Sequence, residues 1–131
     1  MSKYIKIPVS IGELIDKITI LEIKSSLIKD ISKLRFIEEE LKLLRKEADR
    51  LKKNNPKEVE RLDKLKAGLY RTNKRLWNIE NDIRVLEKEK NYSTQFIDLA
   101  RKVYLTNDKR FKLKNKINRL LTYGIKEVKQ Y

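Results

Sequence analysis

Ile7-Pro8-Val9-Ser10-Ile11-Gly12-Glu13-Leu14-Ile15-Asp16-Lys17-Ile18-Thr19-Ile20-Leu21-Glu22-Ile23-Lys24 holds the sharpest helix start in the chain and its densest run of apolar residues. Ser10 is placed to cap the first turn, and Glu13 can reach back to the Ser10 amide, which makes a capping box. Val9 and Leu14 form the matching hydrophobic staple. Pro8 lacks an amide hydrogen and biases Ile7 toward extended geometry, so the helix cannot begin earlier. Beyond the cap, apolar residues recur at positions 11, 14, 15, 18, 21 and 28, one face of a helix. Glu13, Lys17 and Lys24 lie together on another face, with Glu13 and Lys17 at the favourable four-residue spacing.

Outward from this start, no breaker interrupts the chain before Asn54-Asn55-Pro56, and the pattern predicts a first helix over 10–54. Its seam is Leu34, Ile37, Leu41, Leu44, Ala48 and Leu51, in heptad steps. Asn55 can cap a second helix, Pro56 suits its first position, and Glu58 completes another capping box. That helix runs over 56–90 with Leu62, Leu65, Leu69, Thr72, Leu76, Ile79, Ile83 and Leu86 in register. Two seams joined by a tight turn predict a long, coiled-coil-like antiparallel hairpin with Leu34 beside Ile79. Ser93 can cap a third helix over 94–105, and Asn107 a fourth over 108–122 that Gly124 ends. The expected fold is all-α, a single domain over 1–131, with these two shorter helices packed on the open end of the hairpin. Residues 1–8 read as an extended arm, and the tail 125–131 as its pairing partner.

Composition agrees with long helices. Charged and hydrophobic residues each make up 40% of the 131, with only 3 Gly and 2 Pro. There is no cysteine and no histidine, which removes disulfides, thiolate chemistry, the commonest general base and the commonest metal ligand. No metal and no cofactor is expected. No apolar run reaches the length of a membrane span and no signal peptide is evident, so a cytoplasmic protein is the expectation. The net charge of +14 attracts nucleic acid or anionic surfaces, unless the abundance of Lys, Ile and Asn simply reflects a coding bias toward A and T.

Two groups of residues could carry function. Asn73, Glu80 and Glu87 recur at seven-residue spacing on the second helix, flanked by Trp77 and Arg84. If they face Glu13, Lys17 and Lys24, or Arg101, Arg110 and Lys114, a charged cavity forms, either a structural network or a small-anion site. Ordinary ion pairs flanking a helical seam account for the same stripe. The second group is Lys109, Lys112, Lys116 and Arg119, a basic face able to grip phosphates or simply to be solvated. Residues 101–131 contain ten basic side chains against Asp108 and Glu127.

The opening stretch from Ile7 to Lys24 also resembles that of a family of small bacterial and phage proteins of unassigned function. So do Asn73 with Leu76-Trp77-Asn78-Ile79-Glu80, Ile83-Arg84, Phe96-Ile97-Asp98-Leu99-Ala100-Arg101-Lys102-Val103-Tyr104, Asn107-Asp108-Lys109-Arg110 and the tail Glu127 to Tyr131. The resemblance implies membership but no activity. Ile11 to Lys24 is superficially similar to the first helix of the all-helical chorismate mutases, without their arginines and acids in order, and no residue is carried over. The leading functional expectation is a non-enzymatic helical interaction or adaptor protein, homodimeric through its hairpin. The alternatives are nucleic-acid binding through the basic face, and a small-anion-binding bundle or metal-free enzyme.

Overall fold

The computed structural model describes residues 4–121. Four helices follow one another: α1 (Ile11–Leu27), α2 (Ile31–Asn54), α3 (Val59–Lys88) and α4 (Thr94–Leu120), with one 3-10 turn, Pro56–Glu58, between α2 and α3. The all-α class expected from the sequence is what the chain adopts. Gly124 and the tail, with its expected pairing to the arm, lie outside the described residues. Residues 4–9 carry no regular structure and are exposed.

α1 starts where its sequence dictates. The Ser10 hydroxyl oxygen accepts from the Glu13 amide at 3.1 Å. The helix then stops at Leu27 instead of running through to residue 54. The Ser26 hydroxyl donates back to the Ile23 carbonyl at 2.8 Å, and Ile28 leaves the helix in an extended conformation. Asp30 restarts it, accepting from the Ser32 and Lys33 amides and from the Ser32 hydroxyl. The Ser32 hydroxyl, followed by those two amides, holds the Asp30 carboxyl below its usual range. Serines and a β-branched residue ahead of an aspartate cap thus break a helix without glycine or proline.

At the next corner Lys52 on α2 pairs with Asp63 on α3 at 2.9 Å, but the expected coiled-coil-like hairpin with Leu34 beside Ile79 does not form: beyond the corner α2 packs mainly on α1, and α3 on α4 and α1. Asn55 does not cap the new helix through its side chain. Its amide turns back to donate to the Leu51 carbonyl at 2.9 Å, closing α2. α3 ends in a left-handed residue, Lys90 (φ 55°), and the Asn91 amide donates to the Leu86 carbonyl at 2.8 Å. The two short helices expected over 94–105 and 108–122 are one continuous helix. Val103, Thr106, Arg110, Leu113 and Ile117 keep steps of three and four across Asn107, and that periodicity overrides the local capping preference of one asparagine. α4 therefore runs back along α3, its most extensive partner, rather than sealing a hairpin tip.

Among the described residues, α1 is the only helix with substantial packing on all three others. It supplies Ile11, Ile15, Ile18 and Leu21 to a core completed by Leu41 and Ala48 of α2, Leu62 and Leu69 of α3, Ile117 of α4 and Leu121. It meets α4 tightly at Gly12. A Cβ there would sit 2.3 Å from the Lys114 carbonyl oxygen and 3.0 Å from Asn118 Oδ1.

Alanine at position 12 would favour helix by up to about 1 kcal/mol in isolation. Here the obstructing atom is the backbone of a neighbouring helix, and overpacking of that kind costs roughly 1–3 kcal/mol. Gly12→Ala should therefore lower the urea midpoint without changing the slope of the transition.

Candidate functional site

Gly12, Asp16, Thr19 and Ile23 follow one another at helical steps and are all buried. Asp16 is 1% exposed, and its carboxylate is the meeting point of three helices. Arg110 of α4 donates from Nε to Asp16 Oδ1 at 2.9 Å and from Nη2 to Oδ2 at 2.5 Å, a bidentate pair. Asn73 of α3 donates to the same Oδ1 and to the Thr19 hydroxyl, each at 2.8 Å. The Thr19 hydroxyl in turn donates to the Asp16 carbonyl at 2.7 Å. Both carboxylate oxygens are thus occupied by fixed donors, which is what an ionised group needs at this depth.

The same seam continues toward the start of α1. Lys114 Nζ meets Glu13 Oε2 at 2.6 Å. The Gly12 amide, which the helix itself cannot satisfy, donates to Asn118 Oδ1 at 2.6 Å. Positions 12, 13 and 16 on α1 thus match 118, 114 and 110 on α4, so the two helices run in opposite directions.

In the other direction the network opens into a cleft of about 310 Å³. Ile20, Ile23 and Leu76 give it an apolar wall beside the Trp77 indole. Lys24 of α1, Glu80 of α3 and Asn107 of α4 contribute polar groups, and Asn73 and Arg110 join them from the buried network. Asn107 Oδ1 lies 3.5 Å from Arg110 Nη1, a long contact.

The residues singled out from sequence divide three ways. Glu13, Asn73, Arg110 and Lys114 meet in the network, and Lys24, Trp77 and Glu80 line the cleft. Lys17 turns away and pairs with Glu40 on α2 at 3.0 Å. Arg84 and Arg101 are exposed and outside the cleft. Lys109, Lys112, Lys116 and Arg119 are all exposed on α4, as a basic face must be. Sequence reasoning passed over Asp16, Thr19, Asn107 and Asn118. For Asp16 a signal existed: it is a charged residue four after Gly12 and three before Thr19, in line with Ile23 rather than with Glu13, Lys17 and Lys24 on the helix's charged face. Among the described residues no group of three metal-ligating side chains occurs, and no helix is long and apolar enough to cross a membrane.

A model of the family of unknown function DUF6165 matches residues 5–131, nearly the whole chain and every element of the site. No curated protein and no solved structure matches.

The two halves of the central ion pair are not equivalent. Arg110→Ala strands a fully buried carboxylate and should cost about 3–5 kcal/mol. Asp16→Ala leaves a guanidinium that is 26% exposed and can turn to water in the cleft, so it should cost less. The double variant should be more stable than the sum of the single losses implies, measured by urea denaturation of all four proteins.

Proposed function

We propose, for a chain that belongs to the DUF6165 family of unknown function, that the cleft between α1, α3 and α4 binds a small ligand carrying an anionic group. The observation that carries this reading is the composition of the cleft. An apolar and aromatic wall faces a few polar side chains, two of which, Asn73 and Arg110, are already held in place by Asp16. Ligand sites have this make-up, and about 310 Å³ lies at the small end of their usual size. Groups fixed before a ligand arrives lose little freedom on binding, which favours affinity. Lys24 supplies the positive charge. It is half-buried, and its side chain has no ion pair or hydrogen bond with any described residue. No nucleophile with an adjacent base is among the lining side chains, so the reading is of binding rather than catalysis.

A second reading, as an interaction module, draws on a different observation. Val85 near the end of α3 and Ile97, Tyr104 and Leu105 on α4 are large apolar residues left 47–62% exposed. Tyr104 and Leu105 follow Ile97 by seven and eight residues on one face of α4, and a contiguous exposed apolar face is the kind of surface that marks a contact.

A thermal-shift screen of small carboxylates and phosphates tests the first reading, because a ligand specific to the folded state raises the melting temperature. At least one compound should raise it for the parent chain and fail to do so for Lys24→Met. Light scattering tests the second. Self-association should give a mass above the 15.7 kDa of one chain, and Ile97→Lys should return it to that value.

A further inference from the structure

We infer that the ligand of this cleft is a zwitterion of amino-acid size, with Lys24 taking its anionic group, Glu80 its cationic group and Trp77 its apolar body. The inference rests on the reading of the cleft as a binding site and narrows it.

The argument is one of charge balance. Of the ionised side chains lining the cleft, Arg110 is neutralised by the bidentate contact with Asp16. The remaining two are Lys24 on α1 and Glu80 on α3, one of each sign. Neither side chain has a hydrogen bond or ion pair with any described residue, and so no ion pair joins them to each other across the space. In the cleft both are open to solvent water, Glu80 exposed and Lys24 half-buried. A ligand filling it displaces part of that water, and a charge that loses water without gaining a partner is costly. A ligand bearing only a carboxylate satisfies Lys24 and strands Glu80. One bearing only an ammonium does the reverse. A zwitterion satisfies both.

The uncharged lining fits the same class. Ile20, Ile23 and Leu76 can take an aliphatic or aromatic side chain. Trp77 lies one turn before Glu80 on the same helix, so an ammonium held by that carboxylate is also within the neighbourhood of the indole, which attracts cations. The cleft is too small for a macromolecular segment with a core of its own, and large enough for an amino acid.

Isothermal titration of the full chain separates the possibilities, using probes that share a body and differ by one charged group. L-Phenylalanine is compared with hydrocinnamate and phenethylamine, and L-leucine with isocaproate and isopentylamine. In at least one series the amino acid should bind about tenfold or more tightly than both of its singly charged relatives, the effect of one charge-assisted contact. Glu80→Gln should erase its advantage over the carboxylate, and Lys24→Met its advantage over the amine. Both side chains are at least partly exposed, so neither change threatens the fold. If the carboxylates bind as tightly as the amino acids, or Glu80→Gln leaves the ratio unchanged, the zwitterion inference is overturned while anion binding at Lys24 stands. If none of the six probes binds, the inference is overturned, and the carboxylate and phosphate screen decides separately whether the cleft binds anything.

Discussion

A carboxylate with almost no solvent exposure sets the terms for the whole structure. Asp16 sits in the middle of a helix otherwise packed with isoleucine and leucine. An ionised group there is tolerable only if every lone pair that water would have served is served by protein. Arg110 and Asn73 do this from two different helices, and in doing so they set how α3 and α4 lie against α1. An all-apolar contact at this point would tolerate sliding. A bidentate guanidinium and a directed amide do not, because a displacement of even an ångström loses hydrogen-bond geometry. The stabilisation from such a network is modest in net terms; its larger effect is to select one arrangement of the helices.

Around that point the packing is conventional. Gly12 admits the α4 backbone, Lys114 and Asn118 satisfy the first turn of α1, and the apolar residues of all four helices fill the remainder. The cleft follows from the same geometry. One turn past Thr19 the helices no longer meet over polar groups, and Ile20, Ile23 and Leu76 line an opening left between them. The site is thus the edge of the structural network, and two of its polar members, Asn73 and Arg110, serve both.

Much of this could be read from the residues, and the failures have physical causes. The cap at Ser10, the corner at Asn55-Pro56 and the heptad steps of α3 depend on neighbours within a turn or two, and those were legible. The break at residues 28–30 was not, because Ser26 and Asp30 end and restart a helix through hydrogen bonds that many mid-helix serines and aspartates never make. The continuity of α4 was missed in the opposite way, with Asn107 credited with a cap it does not form. In the site, Arg110, Asn73, Glu13 and Lys114 stood out as polar residues at seam borders. Asp16 did not: its place between Gly12 and Thr19 is a weak local signal beside the other charges of α1, and its burial depends on Asn73 and Arg110, 57 and 94 residues away.

The break after Leu27 bears on how the molecule comes apart. α2 is bounded by an irregular segment at one end and a single 3-10 turn at the other, and it packs mainly on α1. Of its 24 residues only Leu41 and Ala48 are buried, with Ile37, Leu44 and Leu51 partly buried against the core. An element with so few anchors and a joint at each end forms a separate cooperative unit of low local stability. Its amides would exchange with solvent through partial opening while those of α1, α3 and α4, cross-linked at Asp16, wait for global unfolding.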